Sequence, residues 1–371
     1  MSVLLSFFYY FYFSNVGVYV IFMPKVLSTI NYTASEIGII FSAAPLVRFL
    51  LPFLFMRGIR LNQNIFYFAL ILILLASSSF YFTINSFYML LLSNIFLGIG
   101  LSLVLPYIEV ISLDIIGKER YGKIRLFGSL GFILIALVLV KFLSSPQIAI
   151  NFLVTVCFIM VAISFIITKK ATTKEQSNQQ EDINDIDILK DWRLWLSFVM
   201  MQMSFGSFYN FFTIYETDHG ISLDMTIYLW SFGVIIEMFM LFFQGRLMQK
   251  NLLFILEITT MSAVLRWFLV FAFPQNLPIL FFAQSLHAVS FALYHTASVG
   301  YLFGLYKHKS LAQQLYYGVG YGFGGLSGAM IAGYIYEYYP KYLFLSSSLI
   351  ALIALYLLKE WHSRSTLRGE S

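Results

Sequence analysis

Twelve apolar runs, each long enough to cross a bilayer, constrain this chain more than anything else in it. They fall at about 3–24, 34–56, 62–83, 87–113, 122–143, 148–167, 193–215, 224–246, 251–272, 277–301, 310–336 and 340–358. A helix of roughly 20 residues spans the hydrocarbon core. Inside that core a backbone satisfies its own polar groups only as a helix or a closed barrel, and runs this long and this uniformly apolar are helical. The expected fold class is an all-α membrane protein with twelve transmembrane helices. The charged share, 11%, is less than half the roughly 25% of a soluble domain. The first run lacks the basic start and small-residue cleavage site of a secretory signal, so it is read as helix one.

Lys and Arg set the orientation, because loops rich in them stay inside. With an inside N-terminus, the inner links hold Arg57, Arg60, Lys118, Arg120, Lys123, Lys169, Lys170, Lys174, Lys190, Arg193, Arg246, Lys250, Lys307 and Lys309, and the tail adds Lys359, Arg364 and Arg368. The outer side holds only Lys25, Lys141 and Lys341. The expected location is the cell (inner) membrane, with both termini cytoplasmic. The net charge of +5 follows this topology and is no sign of nucleic-acid binding. The long polar stretch between helices six and seven divides the chain into an N-terminal bundle over 1–168, a linker over 169–192 and a C-terminal bundle over 193–371. The two bundles also repeat. A shift of 189 residues sets Gly17 on Gly206, Phe22 on Phe211, Ser42 on Ser231, Arg57 on Arg246, Asn62 on Asn251 and Gly131 on Gly320. A parallel repeat of six helices is the construction of major facilitator transporters. The same shift sets Arg48 on Glu237.

No phosphate-binding loop, H-E-x-x-H or G-x-S-x-G motif is present, so neither ATP-driven transport nor a soluble type of catalysis is expected. The single Cys157 offers no disulfide within one chain, and the five histidines have no metal spacing; no cofactor and no metal are expected. Attention falls instead on charges inside the apolar runs, which are costly unless paired or wet. Glu109 lies eight residues before Gly117 and Arg125 eight after it. In an antiparallel hairpin that puts both at one depth, either lining a substrate path or locked as a structural ion pair. Glu237 and Arg266 lie 14 and 15 residues from the turn at Asn251, near mid-depth, as is His287. These three read as a proton relay or as a static network holding three helices. Switching Glu237 between an apolar setting and a neighbouring Arg266 would load and release a proton. Arg48 stands alone at mid-depth on helix two and suits a carboxylate. Asn15, Gln202 and Asn210 are substrate contacts or interhelical hydrogen bonds; His295 and Gln284 share helix ten with His287. The glycines of helix eleven, from Gly318 to Gly333, are read as packing.

Pro106-x-x-Glu109, followed by Tyr121-Gly122-Lys123-x-Arg125-x-Phe127-Gly128-Ser129, resembles the lactose-permease-like branch of the major facilitator superfamily, and most of all its phenylpropionate permease subgroup. Tyr228-Leu229-Trp230-Ser231-x-Gly233-Val234-x-x-Glu237, Arg266-Trp267, Leu286-His287 and Arg48-Phe49-Leu50 extend the resemblance over nearly the whole chain. It implies substrate binding by Glu109 and Arg125, and proton coupling or gating by Arg266 and His287. Sugar permeases of this branch carry a Trp seven residues after the Arg, where this chain has Phe132. They carry a carboxylate three residues after the His, where it has Ser290, and an acid beside the helix-eight Gly, where it has Val234. Those departures argue against a galactoside and move the coupling carboxylate to Glu237; residues 54–62 also lack the superfamily's loop Asp. The expected function is proton-coupled symport of a small organic solute, an aromatic carboxylate such as phenylpropionate, with Glu109, Arg125, Arg48, Asn15, Phe132 and Asn210 at the substrate and Glu237, Arg266 and His287 at the proton. Sugar or nucleoside symport, drug or metabolite export, and a non-transporting sensor or assembly role are the other readings. The expected partners are a small-molecule substrate and the lipid bilayer, the protein being a monomer.

Overall fold

The computed structural model describes residues 1–56, 62–116, 118–170, 186 and 188–367. Arg57, Arg60, Gly117, Lys174, Arg368 and most of the polar stretch over 169–192 lie outside the described residues. The apolar runs form α1 (Ser2–Thr29), α2 (Ala34–Met56), α3 (Gln63–Thr83), α4 (Phe87–Ile116), α5 (Lys118–Phe142) and α6 (Pro146–Lys170). The second set is α7 (Trp192–Ser204 and Gly206–Asp218), α8 (Leu223–Phe243), α9 (Leu252–Ala272), α10 (Leu277–Leu305), α11 (Lys309–Leu315, Tyr316–Gly324 and Gly325–Tyr338) and α12 (Leu343–Leu367). Ten of the described helices are long and apolar enough to cross a membrane by length and composition. The two others are α7, broken at Phe205, and α11, whose Gly- and Tyr-rich middle lowers its hydropathy.

Local chemistry fixes where several helices start. Thr33 and Glu36 form a capping box at α2: the Glu36 N–H donates to the Thr33 hydroxyl at 3.2 Å, and the Thr33 N–H to the Glu36 carboxylate at 2.9 Å. Ser222 caps α8, accepting from the Met225 N–H at 3.2 Å, and lies 189 residues after Thr33. Asn62 and Asn251 have the same spacing and both cap: Asn62 accepts from the Ile65 N–H at 2.9 Å, Asn251 from the Phe254 N–H at 3.1 Å. The repeat in the sequence therefore marks equivalent helix starts in α3 and α9.

In the first half α1 packs on α5 and α6, and α4 on α2 and α3. In the second, α12 packs on α7 and α9, α11 on α7, and α8 on α10. Among the described residues the halves meet chiefly where α2 packs on α11, α5 on α8, and α1 on α7. The α2–α11 seam needs glycine. A Cβ on Gly322 would stand 2.6 Å from the Phe49 backbone, and one on Gly38 2.5 Å from the Ala329 carbonyl.

Call the end that carries Lys25 and Lys141 the far end, and the end that carries Lys169 and Lys307 the near end. At the far end three polar contacts clasp the halves together. Lys141 of α5 meets Asp224 of α8 at 2.8 Å, Lys25 of α1 meets Asp218 of α7 at 3.6 Å, and the Ser35 N–H of α2 donates to Glu337 of α11 at 2.8 Å. Two of these residues depend on helices running past the edges of the hydropathy windows. The window for helix one ends at residue 24 and that for helix seven at 215, yet α1 continues to Thr29 and α7 to Asp218. Polar residues lower a window average without interrupting the backbone ladder.

Gly322→Ala should lower stability by about 1–3 kcal/mol, the usual cost of forcing atoms into a filled contact. Gly245→Ala, with open space around its Cβ position, should be near neutral. Thermal unfolding of the two purified variants checks the difference.

Candidate functional site

Arg266 of α9 is a fully buried charged side chain, 0% exposed. Its guanidinium lies over the faces of Phe208 at 4.3 Å and Trp267 at 4.4 Å, which lowers the cost of holding a cation away from water. One terminal nitrogen donates to Gln284 Oε1 at 2.9 Å, and the other lies 2.8 Å from His287 Nδ1. Arginine only donates, so His287 Nδ1 accepts and the ring proton sits on Nε2. From there it points to Glu237 Oε2, 3.2 Å away. The three residues expected at mid-depth are thus joined in a line, Arg266 to His287 to Glu237, with the imidazole between the two charges. Phe291 stacks flat on the imidazole at 5.0 Å. Glu237 is the most exposed member, its side chain 15% exposed. Ser290 is no part of this line: the wide turns over Ala288–Leu293 follow His287 directly, and the Ser290 hydroxyl donates to the Leu286 carbonyl at 2.8 Å.

Across the seam, Glu109 of α4 accepts from the Tyr121 hydroxyl at 2.9 Å. Arg125, one turn further along α5, lies over Phe13 at 3.8 Å and Tyr9 at 5.7 Å. Both charges act on Tyr9, Tyr12 and Tyr121, so they lie near one another. None of the ion pairs among the described residues joins them. Arg48 of α2 is exposed and enters none of those pairs either. Its charge reaches Tyr12 of α1, Tyr209 of α7 and Tyr317 of α11, which places it between the halves. With both carboxyl groups ionised and the histidines neutral, the three arginines Arg48, Arg125 and Arg266 outweigh Glu109 and Glu237 by one positive charge.

The remaining residues sort by what they touch. Phe132 of α5 meets Trp230 of α8 across the seam at 6.2 Å, and Trp230 meets Phe208 at 4.1 Å; an aromatic chain therefore leads from the first half to the ring beneath Arg266. Asn15 is fully buried and accepts from the Cys157 thiol of α6 at 3.4 Å. The Asn210 amide donates to the Gly206 carbonyl of its own helix at 2.7 Å. Both are engaged in helix contacts. His295 lies 2.9 Å from the Tyr321 hydroxyl and 3.2 Å from that of Tyr317. Sequence reasoning missed the roles of Tyr121, Phe208, Trp230, Tyr209 and Tyr317, because 40 Phe and 25 Tyr leave no single aromatic distinct.

Comparison with known proteins bears on the family and the fold. The profile of the family described as "MFS_1 like family" matches residues 2–346. A protein of Escherichia coli (strain K12) named "Probable 3-phenylpropionic acid transporter" is 25% identical over 364 residues, covering 94% of this chain and 95% of that one. Among solved structures, the nucleoside transporter NupG superposes with a TM-score of 0.80 at 15% identity, over 97% of this chain and 98% of that one. An auto-inhibited POT family peptide transporter does so at 0.75 and 9%, over 97% and 96%. At such identities the two structures speak for the fold alone.

Arg266→Ala should cost about 1–3 kcal/mol for each acceptor left without its donor. It also removes the donor to His287 Nδ1, so the nitrogen resonance of that atom should shift from its wild-type position. Nitrogen-detected NMR of histidine-labelled protein reads it.

Proposed function

This chain belongs to the MFS_1 like family; it is a multi-pass secondary transporter of the major facilitator fold and not an enzyme, and from that premise we propose that it is a proton-coupled symporter of a small organic anion, an aromatic carboxylate of the phenylpropionate kind. The observation that carries the reading is Arg48: a cation between the halves, in none of the ion pairs of the described residues, within electrostatic reach of Tyr12, Tyr209 and Tyr317. A monocarboxylate neutralises the single excess positive charge, and Arg48 and Arg125 can grip it with charge-assisted hydrogen bonds. Phe13 and the surrounding tyrosines supply faces for a ring. The name of the Escherichia coli relative supports the same substrate class.

Coupling follows from the same charge balance. A proton on Glu237 raises the excess to two positive charges and strengthens the hold on an anion. Loss of the anion in turn favours loss of the proton. Arg266 occupies His287 Nδ1, so Glu237 is the seat for the proton, and His287 transmits its state to Arg266 and the aromatic chain that ends at Phe132. The halves then rock about the centre, opening one end while the other stays clasped. We place the near end, where Lys and Arg concentrate, in the cytoplasm.

In weakly buffered, energy-depleted cells, phenylpropionate should drive external alkalinisation as protons enter with it, and Glu237→Gln should abolish the signal. Arg48→Gln should weaken apparent affinity about 10- to 100-fold, the worth of a charged hydrogen bond. Alkalinisation by a sugar or a nucleoside instead would overturn the anion reading.

A further inference from the structure

Glu216 of α7 is 0% exposed, and neither carboxylate oxygen has a hydrogen-bond partner. It sits at the seam between the halves, bracketed along its own helix by two links across it. One turn earlier, Thr213 accepts from the Trp230 indole at 3.1 Å, and Trp230 meets Phe132 of the first half. Two residues later, Asp218 pairs with Lys25 of the first half. The segments Val18–Phe22 and Met23–Thr29 of α1 pack against this part of α7.

The titratable groups around Glu216 are committed elsewhere: His219, three residues further on, is held at the Tyr215 carbonyl, 2.7 Å from its Nδ1. Tyr215 on its own helix and Tyr336 of α11 feel its charge, and both are neutral phenols. The Tyr336 hydroxyl is committed to Asp218 at 2.7 Å. On α1, Lys25 is taken by Asp218, and the Tyr19 hydroxyl donates to Asn94. On α8, Asp224 is taken by Lys141. On α2, the Glu36 carboxylate accepts from the Thr33 N–H. A bare carboxylate in such a place is far costlier than a neutral acid.

We propose that Glu216 is a second proton-binding site, distinct from Glu237, that holds a proton while the far end is clasped and releases it when the halves part there. The inference rests on the alternating opening that the fold implies, and not on the identity of the solute. Opening the seam admits water to Glu216, and a hydrated carboxyl ionises at neutral pH. A group protonated in one state and ionised in the other tilts the balance between them by up to about tenfold per pH unit. Acid therefore holds the far end shut and alkali favours its opening. The neighbouring clasp of Glu337 works in another range and with the opposite sign. It lies past the apolar run over 310–336, and its hydrogen bonds from Ser35 hold its carboxyl below the usual carboxylate range, so that clasp is intact above that range and lost only in stronger acid.

Two measurements test the proposal on the substrate-free protein. Infrared spectra at pH 7 should show a protonated-carboxyl stretch that disappears in Glu216→Gln and persists in Glu237→Gln; an unchanged band in Glu216→Gln overturns it. The second follows far-end opening through thiol labelling of Ala329→Cys, a buried α11 position at the α2 seam, in a Cys157→Ser background. Rates are corrected for thiolate content with the exposed Tyr339→Cys. From pH 5.5 to 7.5 the corrected rate should rise by up to about 100-fold. In Glu216→Gln, and in Glu216→Met as a second neutral variant, labelling should stay slow and lose that rise, whereas Glu216→Asp and Glu237→Gln should keep it. A rise that persists in both neutral variants overturns the proposal. Neither readout depends on transport, so failure of the anion symport reading would leave both results interpretable.

Discussion

Charge inside an apolar bundle is the constraint on which the rest of this structure turns. Arg266 has no access to water, so its surroundings must replace what water would supply. Two aromatic faces, one amide oxygen and one imidazole nitrogen do so. That arrangement settles the state of His287, because a donor-only neighbour forces its Nδ1 to accept. It thereby settles which atom faces Glu237. The order of the line is a consequence of hydrogen-bond chemistry.

The two halves treat their charges differently. In the second half Arg266, His287 and Glu237 are in contact. In the first, Arg48 and Arg125 enter none of the ion pairs among the described residues, and Arg125 lies over Phe13 and Tyr9. The aromatic link Phe132–Trp230–Phe208 joins the two kinds of site. It gives closure of the seam a physical route to the ring beneath Arg266.

Much of this was legible before any coordinates. Hydropathy marked twelve helices, and the 189-residue repeat marked equivalent starts at Asn62 and Asn251. The equal spacing about Gly117 placed Glu109 and Arg125 together. Other features were hidden for identifiable reasons. The window for helix seven stopped at residue 215 and drew no attention to Glu216; the packing of α1 against this part of α7 accompanies its burial. A direct Glu237–Arg266 contact was the simplest reading of two charges on adjacent helices. The structure inserts His287, because α10 approaches between them. Asn15 looked like a polar residue available to a solute, but it is turned to Cys157 on the neighbouring helix.

The sequence by itself determined what the bilayer and the local backbone demand: helices of spanning length, their capped starts, the repeat of six, and the depth at which each charge lies. These follow from apolar content and periodicity along the chain, which a linear reading captures. The tertiary structure alone decided which charges touch, which of the 40 Phe, 25 Tyr and 5 Trp rings lie over a cation, and which carboxyl is buried where α1 packs on α7. Those depend on helix rotation and on the close approach at Gly322 and Gly38. Rotation about a helix axis leaves depth and hydropathy unchanged, so nothing in the linear pattern could fix it.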